Sequence, residues 1–330
     1  MSRKLTVVIV TILLLSGVVH AEGITEHYRS PWLLKDLNDT SFFQELFNGA
    51  AINAHVIDGF EWSVFEAPLD PDSWGSGIRI AKIDDIRINH WIYKPERNAR
   101  YPRWSPDRKW IYFYEESVKH EGSFLIKRIR IYGLDTNNPT TGKVDVIGRY
   151  NTIDSLEIHP DGDKLLVTGG GSIVLVNIET GRLTDVFYNK DGYAYQADYT
   201  DDYSKIIFSY CNDGGVTPFP EQDRKHGNFS IATINPDGTN LEVLDISKDV
   251  VATNPSMSYD GKIVFTWWHS YKKRWNGKIL LHPEIIFYDP DSGEHKILFE
   301  KRAFSYANAQ FVRGTNYITF ELNHCNQYTP

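Results

Sequence analysis

Apolar and polar residues alternate along this chain in short runs, and Asp, Asn, Gly or Pro stands between one run and the next. Alternation over a few residues fits a half-buried strand, and a short apolar run bounded by turn residues fits a fully buried one. One phrase recurs: a short strand, a turn carrying Asp or Gly, then a strongly apolar strand. It first reads Ala51 to Ile57, Asp58-Gly59, Phe60 to Ala67. It returns as Tyr101 to Asp107 with Trp110 to Tyr114, and as Ser155 to Gly162 with Lys164 to Thr168. The later copies are Gln196 to Asp202 with Lys205 to Tyr210, Pro255 to Gly261 with Lys262 to Trp267, and Asn308 to Gly314 with Tyr317 to Leu322. The turns fall at positions 58, 107, 161, 202, 260 and 314, spaced by 49, 54, 41, 58 and 54 residues. A repeat of that size with several strands inside it is the signature of a propeller.

Second strand pairs lie between these phrases. They are Ile173 to Asn177 with Arg182 to Phe187, Phe229 to Ile234 with Leu241 to Leu244, and Glu284 to Tyr288 with His295 to Phe299. Their turns are built from Asp, Asn, Pro and Gly, which tolerate or preset the backbone angles a tight turn needs. Each unit therefore holds four strands, except that the sixth stops after its second. Ahead of the first unit, Trp32 to Leu37 and Ser41 to Phe47 read as the missing pair, so the two chain ends are expected to complete one blade together. Phe42, Phe43, Leu46 and Phe47 also fit a helical stripe, which leaves a short capping helix open at Ser41 to Phe47. The expected fold is all-β: a six-bladed β-propeller closed by pairing N- and C-terminal strands, which removes the sheet edges that invite aggregation.

Two phrases carry a resemblance. Trp104-Ser105-Pro106-Asp107 with Ile111-Tyr112-Phe113, and His159-Pro160-Asp161-Gly162 with Leu165-Leu166-Val167, resemble the WD40-like PD40 repeat of TolB-like propellers. The resemblance runs from Ala50 to Leu322 and weakens in the copies at 202 and 314. It implies six blades and says little of activity, because the fold hosts binding modules and enzymes alike.

Composition narrows the picture. The chain has 330 residues, 41% of them hydrophobic, and two cysteines. Those figures exclude a disordered chain, a disulfide-stapled scaffold and a Cys-rich zinc protein. A net charge of −8 argues against a general nucleic-acid binder. Arg3 and Lys4 precede an apolar run from Leu5 to Val19, and Val19-His20-Ala21 offers small residues at a cleavage point. This reads as a secretory signal peptide over residues 1–21, with a single propeller domain over 22–330 and a periplasmic or secreted destination. The apolar run is shorter than a spanning helix needs, and no membrane span is expected. Pairing of Cys211 with Cys325 stays open.

Strand alternation puts the A–B and C–D turns on one end of the disc and the B–C and D–A loops on the other. The loop end holds the insertions, Asn212 to Asn228 and His269 to His282, and long loops on a rigid scaffold are where function concentrates. Its candidate ligand-binding residues are Arg100, Tyr101, Arg103, Tyr195, Lys272, Lys273, Arg274, Trp275, Arg302 and Tyr306. Arginine pairs with carboxylates and flat rings pack on sugar faces, so a protein partner or an anionic glycan is expected. Polar residues of the A strands, Asn53, His55, Arg103, Asp154, Gln196, Asp198, Asn254, Asn308 and Gln310, share the central channel, with their inward phase unresolved. The leading functional expectation is a monomeric, cofactor-free binding module. The alternative is a lyase acting on uronic-acid glycans, with His226, His269, Tyr271 and Arg274 as its catalytic candidates. In that case a divalent metal would sit on His120, His226, His269 and His282.

Overall fold

A computed structural model describes residues 28–34, 44–46, 51–69, 75–188, 190, 192–212, 228–244, 246, 251–271, 280–299 and 305–324. Strands β1 (Tyr28–Leu34) and β2 (Gln44–Glu45) open the described chain. Blade one is β3 (Ile52–His55), β4 (Trp62–Pro68), β5 (Ser76–Lys82) and β6 (Asn89–Tyr93). Blade two is β7 (Ala99–Trp104), β8 (Trp110–Glu116), β9 (Phe124–Tyr132) and β10 (Thr140–Tyr150). Blade three is β11 (Ser155–Ile158), β12 (Lys164–Gly169), β13 (Ser172–Asn177) and β14 (Leu183–Phe187). Blade four is β15 (Tyr193–Tyr199), β16 (Ile206–Cys211), β17 (Ser230–Ile234) and β18 (Glu242–Leu244). Blade five is β19 (Val251–Met257), β20 (Ile263–Tyr271), β21 (Leu280–Asp289) and β22 (Glu294–Ile297). Blade six joins β23 (Ser305–Phe311) and β24 (Ile318–His324) to β1 and β2, in the order β2-β1-β24-β23.

The expected closure is what the structure shows. All seven residues of β1 pair with β24, from Tyr28 opposite His324 to Leu34 opposite Ile318. Gln44 and Glu45 then pair with Leu33 and Trp32, so strand pairing and not a helix is found at this part of 41–47. Among the described residues no helix is long and apolar enough to cross a membrane. Residues 1–21, expected to be a leader, and Cys325 lie outside the described residues, and Cys211 is buried at the end of β16.

The repeated phrase is a turn device. Ser105 donates its hydroxyl to Asp107 and accepts the Trp110 N–H at 2.9 Å. Thr200 donates to Asp202 at 2.7 Å and accepts the Lys205 N–H at 3.0 Å. Ser258 repeats this with Asp260 and the Lys262 N–H at 3.0 Å. In all six phrases the residue closing the turn has positive φ: Gly59, Arg108, Gly162, Tyr203, Gly261 and Gly314. That conformation is why glycine follows Asp or Arg in four of them.

Packing is between blades. The buried residues form six apolar clusters, one at each blade–blade interface. At the closing interface Leu33 and Leu46 from the N-terminal pair meet Ala51, Val56 and Phe65 of blade one. Removing several apolar side chains from water at every interface drives the ring together, at about 1.5–3 kcal/mol for each fully buried large side chain.

Candidate functional site

The innermost strands share a kink. In β3, β7, β15, β19 and β23 the pairing slips by one residue next to Asn53, Tyr101, Gln196, Asn254 and Asn308. Each of these five has φ between 50° and 53°. The extra residue is a β-bulge, and a left-handed residue in it turns its N–H out of the ladder. In three of the five the preceding blade takes that N–H: Tyr101 donates to the Glu66 carboxylate at 2.7 Å, Asn53 to Glu321 at 2.9 Å and Asn308 to the Thr266 hydroxyl at 2.9 Å. The Asn53–Glu321 bond joins blade one to blade six and so also seals the ring. Asn adopts this conformation readily, whereas Tyr101 and Gln196 hold it at a cost of about 1–2 kcal/mol each. Those two are also tied together, because Gln196 donates its amide to the Tyr101 hydroxyl at 3.1 Å, across blade three.

The bulges fix the phase that alternation left open. The five left-handed residues line the loop end of the channel, where a pit of about 310 Å³ opens. Its walls carry Asn53, Gln196, Asn254 and Asn308 beside Tyr101, Tyr114, Tyr195 and Trp268, with Arg100 at the mouth and Glu66 and Asp154 as its acids. Tyr101 stacks on Tyr114 with ring centres 5.8 Å apart. Asn53 also donates its side-chain amide to Glu66, and Asn254 donates to Asn308. The Gln196 Oε1 is buried and has no hydrogen-bond partner among the described residues. Burial raises the Glu66 pKa to about 7, against the lowering pull of the Tyr101 N–H, Asn53 and Arg100; the Glu321 carboxylate adds to the rise.

The turn end is built differently. Arg103 is 1% exposed and forms an ion pair with Glu157 of blade three. Arg313, in the A–B turn of blade six, reaches Asp198 of blade four at 2.8 Å, and the neighbouring Gly314 N–H donates to Asp201 at 3.0 Å. Ser256 donates to the second Asp198 oxygen at 2.9 Å. His55 accepts the Trp104 N–H at Nδ1, 3.1 Å away, and burial holds its pKa well below that of free imidazole, so it is neutral at pH 7. The charges that cross this end are paired, and among the described residues the pit is open at the loop end.

The structure brings together only part of the expected rim. Arg100, Tyr101 and Tyr195 line the pit. Arg103 does not belong to the rim: it is buried lower in the channel and its charge is taken by Glu157. His226, Lys272, Lys273, Arg274, Trp275 and Arg302 lie outside the described residues. His269, Tyr271, His282 and Tyr306 are placed on strands, and His269 pairs with His282 across β20 and β21, but their side chains are not described. His120 is exposed in the B–C turn of blade two. A different metal-type grouping stands on the turn face, where His159 Nδ1 lies 3.4 Å from Asp161 and 3.8 Å from Asp163. Asp163 pairs with Lys164 at 3.2 Å and His159 accepts the Asp161 N–H at 3.3 Å, which is turn chemistry. Sequence reasoning passed over Glu66, Trp268 and Tyr114 in the pit. The signal for Glu66 is its place inside the core strand Val64-Phe65-Glu66-Ala67, and Phe320-Glu321-Leu322 repeats it.

A comparison with known protein families finds no match, and no curated protein matches the chain. Among solved structures, the fold is similar to a putative TolB from Agrobacterium tumefaciens, with TM-score 0.64 and 13% identity over 90% of this chain and 99% of that one. It is also similar to a chain of a nidogen/laminin complex, with TM-score 0.55 and 8% identity over 81% of this chain and 91% of that one. A puromycin hydrolase mutant complexed with PGG aligns with TM-score 0.53 and 12% identity over 79% of this chain but 40% of its own. At these identities the likeness establishes the six-bladed TolB-like propeller fold.

Proposed function

We propose that this chain is a non-catalytic binding module, and that its ligand seats in the pit at the loop end of the channel. The observation that carries this reading is the one-ended channel. Charges are paired at the turn end, while among the described residues the loop end keeps an open recess of left-handed amide residues and aromatic faces, with Tyr101 and Gln196 under strain. Backbone strain held in place by surrounding bonds clusters where a protein binds something. A concave site with a few placed polar groups among aromatic walls is the usual form of a small-ligand pocket. The leader reading at 1–21 places the module outside the cytoplasm, in a periplasm or extracellular fluid, and we expect it to act as a monomer.

The test is a soluble panel of n-butylammonium, glucuronate and maltose, followed by thermal shift and by NMR of the mixture. A binding module retains at least one probe, unchanged in chemistry. That binding disappears in Asn308→Tyr, which fills the pit with the side chain blade two already carries at the matching bulge. In a parallel assay with added polyuronate, conversion of the polymer to an unsaturated product would replace this reading with the lyase. Failure of every probe to bind would remove the pit as a ligand site.

A further inference from the structure

The polar groups that the pit leaves unspent narrow its ligand, and the inference that follows rests on the pit being the binding site. Five of the six blades bring their left-handed bulge residue to this one recess, and four of the five are amides. An amide carries an acceptor oxygen and a donor nitrogen, and a phenol carries both functions on one atom. Part of this capacity is used inside the ring. Asn53 gives its amide N–H to Glu66, Gln196 gives its own to the Tyr101 hydroxyl, and Asn254 gives to the Asn308 oxygen. What remains is of both kinds. The side-chain oxygens of Asn53, Gln196 and Asn254 accept no hydrogen bond among the described residues, and the Gln196 oxygen is buried. Among the same residues the Asn308 amide nitrogen and the Tyr101 and Tyr114 hydroxyls have no acceptor.

A ligand that matches this wall must donate and accept at several points around itself. An ammonium only donates and a carboxylate only accepts, so either one leaves part of the wall unmet. A hydroxyl does both on one atom and rotates to suit its neighbours. The rest of the wall is aromatic, because Tyr114, Tyr195 and Trp268 line the same recess. The C–H face of a sugar ring packs on such side chains and leaves its hydroxyls to the amides. Charge on the ligand is not called for. A carboxylate would enter a recess lined by Glu66 and Asp154, with Arg100 exposed to water at the mouth. The volume of about 310 Å³ lies at the small end of the range for ligand pockets, which suits one ring better than a chain.

We infer that the pit binds one uncharged pyranose ring, from a free monosaccharide or from the end of a glycan chain. The amides of Asn53, Gln196, Asn254 and Asn308 and the Tyr114 hydroxyl are its hydrogen-bonding partners, and the aromatic wall takes its apolar face. The ring of bulges is what makes such a site: each blade contributes one short polar side chain, and the ligand's hydroxyls point outward to them all.

The experiment is an NMR and calorimetric titration of the full chain with glucose, galactose and mannose. The uronate of whichever sugar binds, and a trisaccharide ending in that sugar, are titrated beside it. At least one uncharged sugar should bind, at least about tenfold more tightly than its uronate. Its affinity should change less than about twofold between about 50 and 500 mM salt, since no ion pair is formed. A trisaccharide that binds no better than the monosaccharide identifies a free sugar as the source, and one that binds better identifies a glycan end. Tyr114→Phe keeps the buried ring and removes only the hydroxyl, and should weaken binding about fivefold with the melting temperature of the free protein unchanged. Asn254→Gly keeps the left-handed backbone and removes one amide, and should weaken binding about tenfold. Asn308→Tyr should abolish it. The sugar assignment is overturned if n-butylammonium or a uronate binds as tightly as every uncharged sugar, if the sugar stays bound in Asn308→Tyr, or if folded Tyr114→Phe and Asn254→Gly both bind like the parent. If glucuronate or n-butylammonium binds, Asn308→Tyr expels it and no uncharged sugar binds, the pit remains a binding site and only the sugar assignment falls. If no probe binds, both readings fall.

Discussion

At the turn end of the channel, Arg103 meets Glu157 and Arg313 meets Asp198, so each described carboxylate that crosses the axis has a guanidinium. At the loop end, Glu66 is just as buried, and the described groups that favour its ionised form are hydrogen-bond donors and one solvated arginine at the mouth. The same residue types thus serve two purposes within one channel. Where charges are paired, the network fixes the relative positions of blades two, three, four and six. Where, among the described residues, an acid has no ion pair and an amide oxygen no donor, the structure keeps capacity for a ligand. Buried polar groups are a guide to function once their partners are counted one by one.

That contrast breaks first at the turn end. Arg103→Ala leaves Glu157 buried and uncompensated, and should lower unfolding free energy by about 3–5 kcal/mol, whereas Arg103→Met with Glu157→Leu should recover most of the loss. Denaturant melts of the single and double variants check this, and neither Arg103→Met nor Glu157→Leu alone should alter probe binding at the pit in a protein that remains folded. The next largest effect belongs to Glu66. Its folded pKa of about 7 lies above the unfolded value of 4.5. The folded state therefore binds the extra proton, and its contribution is full below pH 4.5 and lost as pH rises to about 7. Melts at pH 5 and pH 8 should differ by about 2.5 kcal/mol from this group, and Glu66→Gln should remove that difference. An unchanged pH slope in the variant would mean that Glu66 is not the buried acid of this account. The smallest effect concerns the two strained bulge residues. A double-mutant cycle of Tyr101→Phe and Gln196→Ala should give a coupling of about 1 kcal/mol, and zero coupling would show that the cross-channel bond is not made.

Much of the architecture is legible in the sequence because the turns are chemical. Ser105-Pro106-Asp107, Thr200-Asp201-Asp202 and Ser258-Tyr259-Asp260 each bond a hydroxyl to an acid two residues on, and the other three turns keep the positive-φ residue that closes the turn. Blade count and closure follow from counting those turns and finding the missing pair at Trp32 and Leu33. The site is less legible for a physical reason. Alternation assigns faces along a strand, but it cannot place a bulge, and the bulges at Tyr101 and Gln196 set which side chains meet across the axis. Arg103, read as a rim residue, lies one step deeper than Tyr101 and belongs to the ion-paired end. Glu66 and Glu321 read as blemishes in core strands, and their purpose emerges only with the N–H groups of the next blade beside them.

The most direct test of the account is whether the pit holds a ligand. Thermal shift with n-butylammonium, glucuronate and maltose should raise the melting temperature for at least one probe in the parent and for none in Asn308→Tyr. A parent that no probe shifts, or a shift that Asn308→Tyr keeps, would contradict a binding site at the loop end of the channel.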